Sequence, residues 1–293
     1  MGAGIGGLAL ARTLRGKDFD VELIERSSVT DGGTGIYLPG NAVGALTDLG
    51  VADPVIASGR VNRRQRYLTA AGKVLFEVDV ESFWQGVGPA VGVHRHHLRE
   101  ALAADLPSAQ MGTTLSGLQQ DPEAVEVTLS DGRRESYDLV VGADGVHSGV
   151  RELVFGTGAV RPTSLGSVSW RFVVPNVIDV DCWTVWTGPR RLLLTVPIDA
   201  DRIYVFVSSA HEVSAPQDRD AFLDFEGFCA PARRVAATVA EQLGSGYFSP
   251  LEQVDQRHWS QGRVVLIGDA VHAMAPTMAQ GAALAIEDAL VLG

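Results

Sequence analysis

The stretch that decides the fold is a glycine-rich turn at the start of the chain, Gly2-Ala3-Gly4-Ile5-Gly6-Gly7. Apolar positions with helical spacing predict a short helix over residues 5–15, and Phe19 to Glu25 is predicted to be a strand. Glycines in this pattern suit a tight turn and close approach of a pyrophosphate, which the helix N–H groups and dipole would face. Glu25 stands eighteen positions after Gly7, where an acid accepts hydrogen bonds from ribose hydroxyls. Turn, helix, strand and acid together favour a dinucleotide site, although a GxGxxG turn alone is also found where nothing binds.

A second motif is an apolar strand that ends in Asp144 and Gly145, within the segment 138–151. Ligands of open parallel sheets gather at the carboxyl ends of strands, so Asp144 is predicted to face the cofactor crevice. Ser148 could equally be only the N-cap of the following helix.

A third motif begins with a predicted buried strand, Val264 to Ile267, and continues into a turn and a helix over 282–292. Its turn residues are Gly268, Asp269, Pro276, Gln280 and Gly281. We expect Asp269 to meet a ribityl hydroxyl. The positive end of the helix can face a flavin pyrimidine, where negative charge develops on reduction.

In this order and spacing the three motifs resemble those of the FAD-dependent aromatic hydroxylase-type (group A) flavoprotein monooxygenases, over nearly the whole chain. The stretches Gly35 to Gly50 and Val93 to Leu98 fit the same family. The resemblance implies an α/β fold, with a Rossmann-like FAD-binding domain of the glutathione-reductase type and an inserted β-sheet substrate domain. It also implies that Arg95 contacts FAD and that Asp144 serves both FAD and a passing nicotinamide nucleotide. The cofactor residues expected from motifs and resemblance together are Gly2, Gly4, Gly7, Glu25, Arg95, Asp144, Gly145, Gly268, Asp269, Pro276, Gln280 and Gly281.

Strand-like and helix-like segments alternate near both ends, and short strands fill the middle, which predicts an α/β layer with a β-rich insertion. The FAD-binding domain is expected over 1–65, 92–155 and 260–293, and the substrate domain over 66–91 and 156–259. The predicted elements of the middle and later region are a hairpin at Asp131-Gly132 leading into a strand Tyr137 to Val141, strands Ser167 to Val174, Trp183 to Trp186, Leu192 to Val196 and Ile203 to Val207, and a helix within Ala221 to Leu243.

The resemblance further implies that NAD(P)H reduces FAD and that O2 then forms a flavin C4a-hydroperoxide, which hydroxylates a small aromatic or polycyclic substrate. Because the flavin would carry this chemistry, no catalytic side chain is assigned. The substrate candidates, expected between the second sheet and the flavin, are Trp170, Arg171, Arg191, Tyr204 and Phe206. Arg191 could pair with a carboxylate or phenolate or be an exposed strand end, and Tyr204 could bind a hydroxyl or fill the core.

Histidines near the motifs are candidates for acid–base catalysis or metal binding. His272 could act as an acid or base, but a turn-stabilising role is favoured. His94, His96 and His97 are expected to point in divergent directions with no acidic ligand, so no metal is predicted.

The formal net charge of −11 and pI near 5.1 argue against nucleic acid or an anionic membrane as a partner. No apolar run approaches the roughly 18 residues that a membrane span needs. The two cysteines, Cys182 and Cys229, are too few for a disulfide framework, and a cytoplasmic location is expected. The partners expected are a small molecule and O2, and the oligomeric state is not indicated.

Some features depart from the family. A strand is expected before Gly2 and further helices after Gly293, and Ala279 and Ala283 stand where many relatives have Gly and Asn. Ala279 fits a helix opening if its φ is negative. A flavin halogenase is disfavoured because its Trp-x-Trp-x-Ile-Pro signature is not found. A flavin-linked reductase or dehydrogenase, or a silent FAD-binding scaffold, stays an alternative.

Overall fold

The structure is a computed structural model that describes residues 1–28, 34–210 and 225–293. The chain forms two compact units. Unit 1 comprises Met1–Thr30, Arg99–Thr163 and Glu252–Gly293, and unit 2 comprises Asp31–Leu98 and Ser164–Leu251.

The described strands are listed here in chain order. They are β1 (Ile24–Glu25), β2 (Gly35–Leu38), β3 (Arg60–Val61), β4 (Arg64–Thr69), β5 (Val74–Asp79), β6 (Val91–His94), β7 (Gln110–Met111), β8 (Leu115–Gln120), β9 (Val125–Leu129), β10 (Arg134–Tyr137), β11 (Val140–Gly142), β12 (Thr163–Pro175), β13 (Trp183–Gly188), β14 (Arg191–Pro197), β15 (Arg202–Ser209), β16 (Tyr247–Gln253), β17 (Ser260–Gln261) and β18 (Val264–Leu266).

The described helices alternate with these strands. They are α1 (Ile5–Leu14), α2 (Gly40–Asp48), α3 (Ala52–Ala57), α4 (Val80–Phe83), α5 (Arg95–Ala103), α6 (Gly149–Phe155), α7 (Ala230–Glu241), α8 (Asp269–His272) and α9 (Gly281–Leu292), with 3-10 turns at Gly156–Gly158, Leu243–Ser245 and Pro276–Met278. None of these helices combines the length and apolar character that crossing a bilayer requires.

Unit 1 contains the parallel strand pairs. β1 pairs with β7, and β11 pairs with β18, in parallel. The N–H of Gly2 donates to the Ile24 carbonyl at 2.8 Å, and the N–H of Ala143 donates to the Met1 carbonyl at 2.8 Å. Residues 1 and 2 therefore lie between β1 and β11, with hydrogen bonds on both sides. The expectation of a further strand before Gly2 stays a prediction.

The rest of unit 1 encloses an apolar core. α1 packs against α9, and β8, β9 and β10 form an antiparallel sheet. The predicted Asp131-Gly132 hairpin joins β9 to β10, with Gly132 at φ +86°. The buried core residues include Ile24, Val127, Val150 and Leu266, because apolar side chains of these elements face one another.

Unit 2 is dominated by a seven-stranded sheet in the order β16-β12-β15-β14-β13-β4-β5. β13 and β4 are parallel, while β12, β15, β14 and β13 form antiparallel neighbours. A second, antiparallel sheet, β2-β6-β3, has its first strand against β15. This sheet contains residues that the sequence assigned to the FAD-binding domain. The predicted FAD-binding domain includes 31–65 and 92–98, which belong to unit 2, and the predicted substrate domain includes 156–163 and 252–259, which belong to unit 1. The division into two functional domains stays a prediction.

One face of the large sheet is covered by α7. Trp170 pairs with Val207 and Phe172 with Val205, and these side chains are buried together with Val235 of α7. Cross-strand partners share a face, and successive residues of a strand alternate between faces. We call this side the α7 face, and the opposite side, which carries Arg171, the Arg171 face.

Several predicted elements have different bounds in the structure. The strand predicted over Phe19 to Glu25 is reduced to β1, and Phe19 is exposed. Tyr137 to Val141 is divided between β10 and β11. The helix predicted within Ala221 to Leu243 begins at Ala230. Pro231 therefore lies in the first turn, where a backbone N–H has no partner within the helix, so that no helical hydrogen bond is lost. Residues 221–224 lie outside the described residues.

Candidate functional site

The glycine-rich turn of unit 1 leads directly into α1. Gly2 has φ +98°, and a Cβ there would lie 2.3 Å from the Ala143 carbonyl oxygen. A Cβ on Gly7 would lie 1.8 Å from the Gly2 oxygen, whereas one on Gly4 would meet no atom within 4 Å. Gly4 is also the N-cap of α1, and no side chain caps the helix. Gly2 and Gly7 thus make the turn sterically possible, and Gly4 leaves the N–H groups of α1 open to a ligand.

Glu25 lies beside this turn because its carboxylate binds the turn's backbone. Oε2 accepts the N–H of Ala3 at 2.8 Å, and Oε1 accepts the N–H of Ser27 at 2.9 Å. An ionised carboxylate has about four acceptor positions, so two remain for ribose hydroxyls. The side chain is half-buried, which keeps it accessible to a ligand.

Asp144 follows β11 and is bound within its own turn. Its Oδ1 accepts the hydroxyl of Ser148 at 2.5 Å, and its Oδ2 accepts the N–H of Val150 at 3.1 Å. Ser148 Oγ in turn accepts the N–H of Arg151 at 2.9 Å, so Ser148 is the N-cap of α6. Gly145, at φ +83°, completes the turn.

Arg151 joins the second motif to the third. Its side chain is fully buried, with Nη1 donating to the Ala270 carbonyl at 2.7 Å and Nη2 to the Val146 carbonyl at 2.8 Å. Burial lowers the pKa of Arg151, and the nearby charges of Asp144 and Glu152 oppose that shift. The guanidinium therefore holds the Asp144 turn against α8.

Asp269 begins α8 directly after Gly268, which has φ +60°. Its side chain is exposed, and Oδ1 would lie 3.8 Å from a Cβ on Gly281, the first residue of α9. Pro276 starts the 3-10 turn between the two helices, and Gln280 is the N-cap of α9. Asp269, Gln280 and Gly281 are therefore gathered at the N-terminus of this 12-residue helix, and Pro276 lies in the turn that leads to it.

His272 is paired with Asp288 of α9. The Nε2 to Oδ2 distance is 2.7 Å, and the same Oδ2 accepts the N–H of Gly268 at 2.7 Å. Burial lowers the pKa of His272, but the hydrogen bond and charge of Asp288 outweigh it and raise the pKa overall. This is the turn-stabilising arrangement favoured from the sequence. The sequence analysis did not identify Asp288. It lies sixteen residues after His272, and this spacing gives no local signal that the two side chains meet.

Arg99 is a second residue that the motifs did not predict. It lies in α5, and its Nη2 donates to the Ala3 carbonyl at 3.1 Å, inside the glycine-rich turn. Its position four residues after Arg95, on the same side of a helix, was the available signal.

Ala279, in the third motif, does not meet the condition under which Ala fits a helix opening. Its φ is +52°, in the left-handed region, rather than the negative value that would suit Ala. The 3-10 turn ends at this residue. The chain changes direction here to enter α9, and this change of direction requires the left-handed backbone. Ala283 is fully buried in α9.

These residues fit a dinucleotide: an open glycine turn at an uncapped helix, an adjacent carboxylate, and a second helix start beside Asp269. A family model described as an FAD binding domain matches residues 1–293. The chain belongs to the FAD-dependent aromatic hydroxylase-type flavoprotein monooxygenases. It is thus an oxidoreductase that binds FAD, with the Rossmann-like domain and added sheet of that family.

Named relatives support this membership. The chain is 33% identical over 306 residues to 2-heptyl-3-hydroxy-4(1H)-quinolone synthase of Pseudomonas aeruginosa, covering 99% of this chain and 78% of the relative. It is 33% identical over 304 residues to aurachin C monooxygenase/isomerase of Stigmatella aurantiaca, with the same coverage. The crystal structure of Klebsiella pneumoniae HpxO with FAD and uric acid matches with a TM-score of 0.90 at 26% identity, covering 99% of this chain and 77% of that chain.

The substrate candidates of this flavoprotein monooxygenase lie on two faces of the unit 2 sheet. Arg171 pairs with Phe206, and Val173 pairs with Tyr204, which places Arg171, Tyr204 and Phe206 on the Arg171 face. Trp170 is on the α7 face and packs in the core.

Arg191 also lies on the α7 side of the sheet. It is two residues before the buried Leu193, which pairs with Val207. The structure therefore brings three of the five candidates together and separates Trp170 and Arg191 from them.

Arg95 is the first residue of α5, and its N–H donates to the Thr34 carbonyl at 2.9 Å. Its charge acts on Tyr204, as does that of Arg171, and both oppose the rise in the pKa of Tyr204 that burial causes. A Cβ on Gly35 would lie 2.4 Å from the Cβ of Tyr204, so β2 closes over this tyrosine. The charges of Arg95 and Arg171 thus both act on Tyr204 in unit 2.

The histidine group differs from its prediction. The ligand atoms of His96, His97 and Glu100 lie within 4.8 Å of one another, because the spacing of three and four residues places them on one side of α5. The expectation of divergent histidines without an acidic neighbour was therefore wrong. His94 instead lies 3.2 Å from Asp199, through Nε2 and Oδ2. The absence of a bound metal stays a prediction.

Proposed function

We propose that this chain uses NAD(P)H and O2 to hydroxylate a small aromatic or polycyclic substrate. The observation that carries the proposal is the glycine turn at an uncapped helix, with Glu25 bound to it, in a member of a monooxygenase family. Relatives named for ring compounds, such as the quinolone synthase, and HpxO crystallised with uric acid support the substrate class. The unpaired cysteines, Cys182 and Cys229, fit the cytoplasmic location that we also propose.

In this proposal the residues of unit 1 hold the cofactor. The N–H groups of α1 would face the diphosphate, Glu25 the ribose, and Asp269 a ribityl hydroxyl. The start of α9 would stabilise negative charge through its dipole. When bound, FAD supplies hydride acceptance and oxygen transfer, so the protein's part is to bind, orient and exclude water.

Asp144 would act mainly by shaping its turn. Because both of its oxygens are engaged with Ser148 and Val150, it retains only part of its acceptor capacity for FAD or a nicotinamide ribose. Arg95 would add a positive charge toward the cofactor.

The first experiment is the visible spectrum of the purified protein, followed by anaerobic addition of NADPH or NADH. Flavin bands that bleach and then recover in O2 are expected. A candidate aromatic substrate should then yield a product whose new oxygen comes from labelled O2, as detected by mass spectrometry.

The alternatives give different results. Bleaching by NAD(P)H with a product that contains no oxygen from O2 would favour a reductase or dehydrogenase. A folded protein that stays colourless after addition of FAD would favour a silent scaffold.

A further inference from the structure

We infer that His96, His97 and Glu100 form a binding site for one divalent transition-metal ion, such as Zn²⁺, on α5. The site uses none of the residues assigned to FAD, and the inference does not depend on the proposed function. It replaces the expectation that no metal binds here, because that expectation assumed divergent histidines without an acidic neighbour. The evidence is the geometry of the three side chains, their surroundings and their chemistry.

The helix itself places the three side chains together. Residues three and four positions apart are neighbours on a helix surface, so Glu100 lies next to both His97 and His96. One ligand atom from each side chain lies within 4.8 Å of the others, and the ring centroids of the two histidines are 4.0 Å apart. Two ligands of a tetrahedral ion with bonds of about 2.1 Å lie about 3.4 Å apart. Side-chain rotations alone would therefore close the site around an ion.

A metal ion can reach this side of α5 from solvent. Successive residues of a helix are rotated by about 100°, which puts the three ligands on the side opposite Leu98 and Leu102. Both leucines are completely buried, whereas Glu100 is exposed and the two histidines are half-buried. The site is therefore open to water, which can fill the remaining coordination positions.

The charges around the site are compatible with a bound cation. On the helix, Arg95 is about 150° and Arg99 about 110° from the centre of the site, and the Arg99 guanidinium donates to a carbonyl of the glycine-rich turn. The ring centroid of His94 is 5.2 Å from that of His96, and its Nε2 lies 3.2 Å from Asp199 Oδ2. Burial lowers the pKa of His94, so this ring adds little positive charge at neutral pH.

The ligand types select the kind of ion. Imidazole suits Zn²⁺, Ni²⁺ and Cu²⁺, whereas Mg²⁺ and Ca²⁺ prefer sites made of oxygen atoms. Two histidines and one glutamate are a known ligand set for zinc, in which water takes the fourth position. Coordination would also link residues of successive turns of α5. We therefore expect one ion per chain, and we expect this ion to stabilise the folded protein.

The test is calorimetric titration of the full chain with ZnCl2, after removal of any affinity tag and of contaminating metals. One ion per chain should bind with a Kd of about 10 μM, weaker than in four-ligand structural sites because fewer protein ligands hold the ion. MgCl2 at about 100 times the zinc concentration should not compete, since two of the three ligands are imidazoles. Thermal denaturation should show a higher Tm with zinc than without it.

Loss of any ligand should weaken this binding. Glu100→Gln, His96→Gln and His97→Gln should each raise the Kd for zinc about 10-fold or more and remove the rise in Tm. The matched control is His147→Gln, which changes a histidine–glutamate pair elsewhere in the chain, with Nε2 3.1 Å from Glu252 Oε2. This variant should bind zinc as the wild type does. Circular dichroism verifies that each variant is folded.

The inference is overturned if the wild type does not bind zinc at about 100 μM, or if Glu100→Gln binds it as tightly as the wild type. Loss of binding in His147→Gln, with retention in the three ligand variants, would place the ion elsewhere and also overturn it. Competition by Mg²⁺ would show that the ligands are oxygen atoms, which contradicts a site with two histidines. A flavin that NAD(P)H cannot reduce would reject the proposed function and leave zinc binding unaffected.

Discussion

Ala279 has a left-handed backbone, with φ +52°, that glycine adopts without strain. We expect Ala279→Gly to raise the free energy of unfolding by about 1 kcal/mol, because relief of strain exceeds the entropy that glycine adds to the unfolded chain. Urea denaturation of the wild type and variant would measure this. The control, Ala282→Gly in the helical first turn of α9, should instead destabilise the protein by up to about 1 kcal/mol. Similar losses in both variants would contradict the prediction.

The His272–Asp288 pair predicts a pH dependence of stability. Because the folded-state pKa of His272 is raised, the pair stabilises the protein fully below the unfolded value of about 6.5. This stabilisation is lost as the pH rises through the higher folded-state pKa. Urea denaturation at several pH values should therefore show a decline above neutrality that His272→Gln removes. His258→Gln, which changes an exposed histidine of the same unit, should retain it.

Asp269 is predicted to bind FAD directly. Asp269→Ala should weaken FAD binding about 10-fold or more, because a charged acceptor of a ribityl hydroxyl is lost. Fluorescence titration of the apoprotein with FAD would measure the Kd. Asp255→Ala removes an exposed carboxylate elsewhere in unit 1 and serves as the control. Equal weakening in both variants would assign the effect to overall charge.

At the scale of elements, different glycines of the turn before α1 serve cofactor binding and folding. Gly4→Ala should leave the stability of the apoprotein unchanged but abolish most FAD binding, because its Cβ meets open space where the diphosphate would approach. Gly7→Ala should destabilise the apoprotein by several kcal/mol, because its Cβ would overlap the Gly2 carbonyl. Thermal denaturation without and with FAD tests both, and an apoprotein equally stable with either substitution would contradict the prediction.

Helices and strands could be predicted from the sequence where their own pattern of apolar residues determines them. The helix after the glycine turn and the β12 to β15 strands were predicted close to their observed bounds, since apolar periodicity is a property of the sequence. The strand over Phe19 to Glu25 was too long, because apolar and polar residues alternate there without a partner strand along most of its length. Pairing with β7 involves only Ile24 and Glu25.

For the whole molecule, FAD binding should stabilise unit 1 by mass action. At a free concentration of about 100 times its Kd, FAD is expected to add about 2.7 kcal/mol to the free energy of unfolding. Hydrogen exchange should show the added protection around the glycine turn, β1 and α9. FMN, which lacks the adenosine that Glu25 would bind, is the control and should protect the α9 region more than β1. Equal protection of β1 by FMN would contradict the role of Glu25.

The sequence alone determined the α/β class, the cofactor motifs and the family, because glycine patterns, strand-end acids and apolar periodicity act over short stretches. Only the tertiary structure decided which side chains meet. Arg171, Tyr204 and Phe206 share a face while Trp170 and Arg191 do not, because strand register depends on partners far along the chain. The same holds for His272 with Asp288 and for the left-handed Ala279, since packing of α9 imposes both.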